Sequence, residues 1–366
     1  MEGSSTGCSC SVNTGCNSQT ACVKDEKWVK GRIKTPAGEI KQISATLSFQ
    51  DILGSWKARW GINRMNYKID PGLYCVGSPG ENSPILVTAN YKMSFDRLRS
   101  ELGGVDAWIL VLDTKGINVW CAAGKGTFGT CELINRIRIT HLADIVKKKV
   151  VILPQLGAPG VEAHEVQKNT GFKVIYGPVR ANDLKEFLNS GMTADKDMRT
   201  VRFTFLDRLV LTPMEIVNAL KPSFIIFGVL FILNSIGFGR YGALDLCAYL
   251  GAAFAGSVAT PILLPWIPGR AFAFKGALIG ALWAAVFTLA NGWQNLSTYE
   301  LMKAISFILI LPTVSSYYAM NFTGCSTYTS RSGVNREMKI AVPIMITAVS
   351  AGIALLAAGS IVRLIV

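Results

Sequence analysis

Five apolar stretches follow one another beyond Pro213, at residues 222–238, 243–266, 271–291, 301–318 and 340–362. Each has roughly the ~20 residues that an α-helix needs to cross ~30 Å of hydrocarbon. Between Ser223 and Ser330 the only charged side chains are Arg240, Asp245, Arg270, Lys275, Glu300 and Lys303. Lipid accepts a polypeptide only where its backbone groups are satisfied internally, which selects helices here. Residues 213–366 are therefore expected to form an all-α transmembrane domain of about five helices. The loop at 292–299 has no Lys or Arg, whereas the loop at 321–339 carries Arg331, Arg336 and Lys339. By the positive-inside rule the second loop faces the cytoplasm. This predicts a multi-pass protein of the cytoplasmic (inner) membrane, with its polar half inside and its C-terminus outside.

The remaining composition narrows the function. A chain that is 50% hydrophobic and 17% charged is too apolar for a soluble protein of 366 residues. Its net charge of +13 fits attraction to an anionic lipid bilayer. Nucleic acid is not expected, since acidic residues are interspersed and no recognition module is present. Nine cysteines invite a disulfide or metal reading, yet disulfide frameworks belong to small secreted chains and no secretory signal opens the sequence. Cys8, Cys10, Cys16 and Cys22 lie in a Gly, Ser, Thr and Asn-rich stretch whose spacing fits neither zinc nor ferredoxin patterns. Residues 1–44 are read as a disordered or loosely ordered leader.

From Pro84 a strand-helix rhythm sets in. Strands are predicted at 85–89, 107–112, 150–153 and 173–176, and helices at 94–102, 161–170 and 182–189. Such alternation implies an α/β domain of Rossmann-like type with a mostly parallel sheet, placed at 45–212 with 45–82 as a mixed extension. Ligands of such domains sit beyond the carboxyl ends of the strands. Asn90, the stretch 114–127, the stretch 155–158 and the stretch 177–181 would then line one crevice.

Within that crevice Asn118-Val119-Trp120-Cys121-Ala122-Ala123-Gly124-Lys125 sets one cysteine in a short turn of small residues. If Asn118 caps a helix, Cys121 falls in its first turn, where unpaired amides and the positive dipole end favour thiolate over thiol. Lys125, four residues on, would share its face. Ala122, Ala123 and Gly124 would let something flat approach the main chain before the helix breaks at Gly126. A buried core cysteine is the plain alternative.

The run from Asn118 to Thr130 resembles the cap-helix signature of the mercury-methylating corrinoid proteins, the HgcA family. That family is related to the corrinoid domain of the acetyl-CoA pathway's corrinoid iron-sulfur protein. Similar runs are Leu86-Val87-Thr88-Ala89-Asn90-Tyr91, Trp108 to Gly116, Leu153 to Gly160, Tyr176-Gly177-Pro178-Val179-Arg180-Ala181 and Met320 to Gly324. The resemblance implies a corrinoid-dependent methyltransferase with cobalamin or a related corrinoid as cofactor and Cys121 as the lower ligand to cobalt. Its corrin contacts would come from Asn118 through Thr127, with Thr88, Asn90, Thr114, Gln155, Leu156, Gly157, Ala158, Gly177, Pro178, Val179, Arg180 and Ala181. The acceptor implied is Hg(II), which, being an electrophile, needs a methyl group of carbanion or radical character; a thiolate donor to cobalt favours that. Implied partners are a methyl-donor protein and a small ferredoxin-like iron-sulfur protein that gives electrons and hands over mercury. Met320 to Gly324 would meet the corrinoid domain or the redox partner. The chain lacks the Asp-x-His-x-x-Gly motif of histidine-ligated cobalamin proteins, and His141 and His164 are read as ordinary polar or packing residues.

Other readings stay open at this stage. One is a corrinoid methyl carrier of acetyl-CoA type metabolism, although the leader cysteines do not match that relative's cluster domain. Gly124-Lys125-Gly126-Thr127-Phe128-Gly129 fits G-x-G-x-x-G formally, which would make the chain a membrane-anchored dinucleotide-binding protein. That fingerprint should follow its strand directly, and here ten residues intervene. A metal transporter using Cys247 and Cys325 is the third.

Overall fold

Short apolar runs bounded by turn residues become the strands of the first unit. In the computed structural model, which describes residues 26–237, 241–291 and 297–365, Ile85–Ala89 (β4) and Ala107–Leu112 (β5) are buried along their whole length. Val150–Leu153 (β6) and Lys173–Tyr176 (β7) are nearly so or edge-like. All four match the sequence expectation to the residue. Ahead of them lie Val29–Thr35 (β1), Gly38–Ile43 (β2) and Gly72–Val76 (β3). The seven strands form one sheet in the order β1-β2-β3-β5-β4-β6-β7. β5, β4, β6 and β7 run parallel. β3 is antiparallel to β5 and parallel to β2, and β1 closes the edge antiparallel to β2.

Two strands thus fall where a loose leader was expected. β1 alternates charged with apolar residues, as an edge strand covered on one face does, and Ile40 and Ile43 of β2 enter the two different cores of the unit. The leader reading fails for residues 29–43. Its cysteines Cys8, Cys10, Cys16 and Cys22 lie outside the described residues.

Helices Phe49–Arg59 (α1) and Lys92–Ser100 (α2) precede β5, and Val119–Lys125 (α3), Thr130–Ile139 (α4) and Leu142–Ile145 (α5) follow it. Ala163–Thr170 (α6) links β6 to β7, and Leu184–Asn189 (α7) follows β7. One face of the sheet, with Ile85, Val87, Leu110, Leu112, Val151 and Leu153, packs under Leu133, Ile134 and Ile137 of α4 and Val166 of α6. The other, with Leu86, Ile109, Val111 and Ile152, packs under Phe95 of α2 and Leu184 and Phe187 of α7. These two cores, one on each face of the sheet, make a two-faced α/β unit whose described residues are 26–58 and 62–201.

The second unit, Arg59–Gly61 with Arg202–Val366, is all helical. Phe205–Leu209 (α8) leads into Thr212–Ser235 (α9), and Ala243–Phe254 (α10) continues through a π-helical turn, Ala255–Ala259, into Thr260–Leu263 (α11). Phe272–Ala290 (α12), Thr298–Asn321 (α13) and Arg331–Ile365 (α14) complete it. Among the described residues five helical segments are long and apolar enough to cross a membrane: Phe205–Ser235, Ala243–Leu263, Phe272–Ala290, Thr298–Gly324 and Ser332–Arg363. The first and last begin well before the apolar stretches at 222 and 340, because hydropathy marks the lipid-facing part of a helix and not its polar start.

Small residues bring these helices together. A Cβ on Gly280 would lie 2.7 Å from Pro312 Cα, and one on Gly276 would lie 2.8 Å from the Ser315 carbonyl oxygen. Ser315 and Ser316 donate to the carbonyls of Gly276 and Ala273, each at 2.7 Å, so α12 and α13 pack by backbone approach and side-chain hydrogen bonds. The Met320 to Gly324 run turns inward: Phe322 is fully buried, against the rings of Phe203 in the same unit. Its aromatic side chain serves the packing of the helical unit, while Asn321 and Gly324 of the same run are exposed.

Candidate functional site

The sheet order creates a switch point. From β4 the chain passes through α2 to β5 on one side, and from β6 it passes through α6 to β7 on the other, on the opposite face. β4 and β6 are neighbours, so their outgoing connections diverge beyond their carboxyl ends, the place where sheets of this kind bind ligands. Helix α3 spans this place, packing against the end of β4 and against the turn Gln155–Gly160 that follows β6.

Helix α3 forms as its sequence dictates. Asn118 has an extended backbone, and its Oδ1 accepts the Cys121 amide at 2.9 Å. Gly126, with φ of 79°, ends the helix in a left-handed turn that a side chain would strain. Cys121 is a free, half-buried thiol in the first turn, and Trp120 beside it is 37% exposed. Ala122 and Ala123 are buried, facing the α/β core. Their small size is explained by that packing: a Cβ on Gly160 would stand 3.1 Å from Ala123 Cα and 2.1 Å from the Phe128 carbonyl oxygen. Expected as a floor for a flat ligand, the two alanines are instead the underside of the cap. Gly124, Lys125 and Gly126 are exposed and Thr127 is half-buried.

Three other candidates lie beneath the surface. Thr88, Asn90 and Thr114 are all buried. Asn90 Oδ1 accepts the amides of Thr114 at 3.1 Å and Gly116 at 2.9 Å and lies 2.9 Å from Thr114 Oγ1. Its Nδ2 donates to Asp113 Oδ1 at 3.1 Å. Asn90 thereby fixes the loop that launches α3, and its polar atoms are used within the protein. Glu132 and Arg136, which the sequence reading passed over, extend this support: Glu132 Oε1 accepts the Asp113 amide at 2.9 Å and Arg136 Nη2 at 2.7 Å. Burial alone would raise the Asp113 carboxyl, but hydrogen bonds from the Lys115 side chain and amide hold it below the usual carboxylate range. A Glu-x-x-x-Arg pair in α4 was the available signal.

On the β6–β7 side Gly177 and Pro178 are buried, and Val179, Arg180 and Ala181 are half-buried. The Val179 amide donates to Met198 at 2.8 Å, and the Gly177 amide to Leu153 at 2.8 Å. Leu156 and Ala158 are half-buried, and Gly157 sits so near Phe128 that a Cβ would come within 2.5 Å of its ring. Gln155 is the outlier, because its Oε1 is buried without a hydrogen-bond partner among the described residues. A buried acceptor left open is costly and is a common mark of a place where a ligand group belongs.

The remaining readings meet the geometry less well. The G-x-G-x-x-G run starts inside α3 with Gly124 and Lys125, Gly126 closes that helix and Gly129 opens α4, so the run joins helix to helix and not strand to helix. His141 and His164 are exposed, beside Asp144 and Glu165. No group of three or more His, Cys, Asp or Glu is placed to hold a metal among the described residues. Cys75 contrasts with Cys121: it is fully buried, and burial pushes its thiol up to about 11.

Residues 60–188 match the family model described as CdhD, CO dehydrogenase/acetyl-CoA synthase delta subunit. The chain is 33% identical over 123 residues to the acetyl-CoA decarbonylase/synthase complex subunit gamma of Methanopyrus kandleri, covering 33% of this chain and 26% of that protein. It is 32% identical over 123 residues to the same subunit of Methanothermobacter thermautotrophicus, with the same coverages. To the corrinoid/iron-sulfur protein large subunit of Moorella thermoacetica it is 26% identical over 129 residues, 35% of this chain and 28% of that one. The chain therefore spans about a quarter of the length of the curated relatives it matches. The matched family segment holds α3 and β3 to β7 and ends before the first membrane-length helix.

Proposed function

We propose that the α/β unit binds a corrinoid and that the chain is a membrane-bound corrinoid-dependent methyltransferase that transfers methyl to Hg(II), forming methylmercury. The observation that carries this reading is the place of Cys121: a free thiol in the first turn of a capped helix, over the carboxyl ends of β4 and β6. The similarity to a corrinoid/iron-sulfur protein subunit supports the cofactor class. The residues present fit the group. Cys121 offers a sulfur ligand for cobalt, Trp120 an exposed indole, and Gln155 a buried acceptor without a partner. A corrinoid held there supplies a cobalt-bound methyl group, and sulfur donation to the metal gives that carbon the negative character an electrophilic acceptor needs.

The chain's own residues do the positioning. Asn118 fixes the pitch of the first turn, and with it the direction of the Cys121 side chain. Asn90 and Glu132 hold the approach to the helix, while Gly157 and Gly160 let it sit close to the β6 turn. A methyl-donor protein and a ferredoxin-like iron-sulfur protein for electrons and mercury complete the proposed reaction. The names of the relatives support a second reading, a corrinoid methyl carrier of acetyl-CoA type metabolism.

Methylmercury formation by the full chain in membranes, supplied with methylcobalamin, a low-potential reductant and Hg(II), tests the main reading. Wild-type protein is expected to form methylmercury well above the direct reaction of methylcobalamin with Hg(II), and Cys121→Ala to form no more than that protein-free background while remaining in the membrane. Equal activity of the two would refute the role of the sulfur, and methyl transfer to an acetyl-CoA synthase without any to mercury would establish the carrier instead.

A further inference from the structure

Helix α1 is built inside out. Its inward side carries Asp51, Gly54 and Ala58, three and four residues apart. Asp51 caps the helix through Ser48 and meets Lys92 Nζ at 2.7 Å and Arg99 Nη2 at 2.9 Å. Gly54 lies so near Tyr67 that a Cβ would come within 2.7 Å of its hydroxyl, and Ala58 is fully buried. The outward side carries Phe49, Ile52, Leu53 and Trp56, with Phe49 76% and Trp56 61% exposed. Trp60 and Met65 extend the exposed apolar row beyond the helix end. A helix on a water-soluble domain turns its apolar stripe to the core and its charges to solvent. Here an ion cluster is locked inside and, Gln50 and Lys57 apart, the exposed side is hydrocarbon, a patch that calls for a covering.

The chemistry of the patch fits a lipid surface. Tryptophans with Phe, Ile and Leu are the residues that settle at the headgroup boundary, and exposed Lys57, next in the chain to Trp56, is there to meet anionic headgroups. The chain itself brings a bilayer close, since it carries five membrane-length helices. The residues on which α1 ends, Arg59 to Gly61, are part of the helical unit. There Arg59 donates to the Val210 carbonyl at 3.5 Å, and a Cβ on Gly61 would lie 3.5 Å from Val217 of α9. We infer that α1 is an interfacial helix that rests its Phe49–Trp56 face in the headgroup region, giving the α/β unit a membrane attachment of its own, separate from the spans.

Photo-crosslinking tests this without reference to the corrinoid. The full chain with Trp56 replaced by benzoylphenylalanine is reconstituted into vesicles of phosphatidylethanolamine and phosphatidylglycerol, irradiated and analysed by mass spectrometry. A second protein carries the same probe in place of Lys185, an exposed residue of α7. Lipid adducts are expected at position 56 and not at position 185. Adducts joining two copies of the chain at position 56, or no lipid adduct there, would overturn the inference.

Discussion

Two cysteines of the α/β unit show how position decides what a thiol can do. Cys75 has no solvent exposure and its thiol is pushed up to about 11, so it stays protonated and inert through the physiological range. Alkylation of the folded full chain at about pH 8 is expected to leave Cys75 unmodified, read by peptide mass spectrometry. Cys121 owes its place to Asn118, and Asn118→Ala removes the cap bond at a cost of about 1 kcal/mol to α3. Faster hydrogen exchange across residues 119–125, with β5 unchanged, would register it. The cap and the helix start were legible, because Asn before a short run ended by Gly is a local signal. The role of Ala122 and Ala123 was not legible. Whether a small residue clears room for a ligand or for a neighbouring turn depends on Gly160, far along the chain.

Among elements, the four parallel strands announced themselves because continuous apolar runs suit strands buried on both faces. β1, β2 and β3 did not, since polar alternation and Gly left them without that mark; β3 is placed by pairing with β5, β2 by pairing with β3, and β1 by pairing with β2. Helix α1 escaped for a related reason, its pattern being reversed. It is held by four buried charges, Asp51, Lys92, Asp96 and Arg99, with Lys92 Nζ 2.6 Å from Asp96 and Arg99 Nη1 2.6 Å from the Ser44 carbonyl. Removing one partner leaves an uncompensated buried charge, so Arg99→Ala is expected to destabilise the α/β unit by about 3–5 kcal/mol, measurable by urea unfolding. Burial would raise the Asp51 carboxyl, but hydrogen bonds from Lys92 and Ser48 hold it well below the usual carboxylate range. A depressed folded value means that its stabilisation is complete above the ordinary carboxylate range. The stabilisation is lost as pH falls through the folded value. Asp51→Asn should therefore flatten the acid limb of stability against pH, and an unchanged acid limb would contradict this account of the cluster.

For the whole molecule, five crossings by the five membrane-length helices among the described residues would put the two ends of the helical unit on opposite sides of a bilayer. A reporter fused after Val366 and one inserted at Lys196 are accordingly expected to respond from opposite compartments. The division into a polar α/β half and an apolar helical half could be read directly from charge density, whereas the proposed corrinoid site rests on a handful of residues at one switch point. The most direct test of that dependence is the visible absorption spectrum of the purified full chain loaded with methylcobalamin, compared with Cys121→Ala. The account predicts retained corrinoid with a sulfur-ligated spectrum in the wild type and loss of that signature in the variant. A wild-type chain that holds no corrinoid, or two identical spectra, would contradict it.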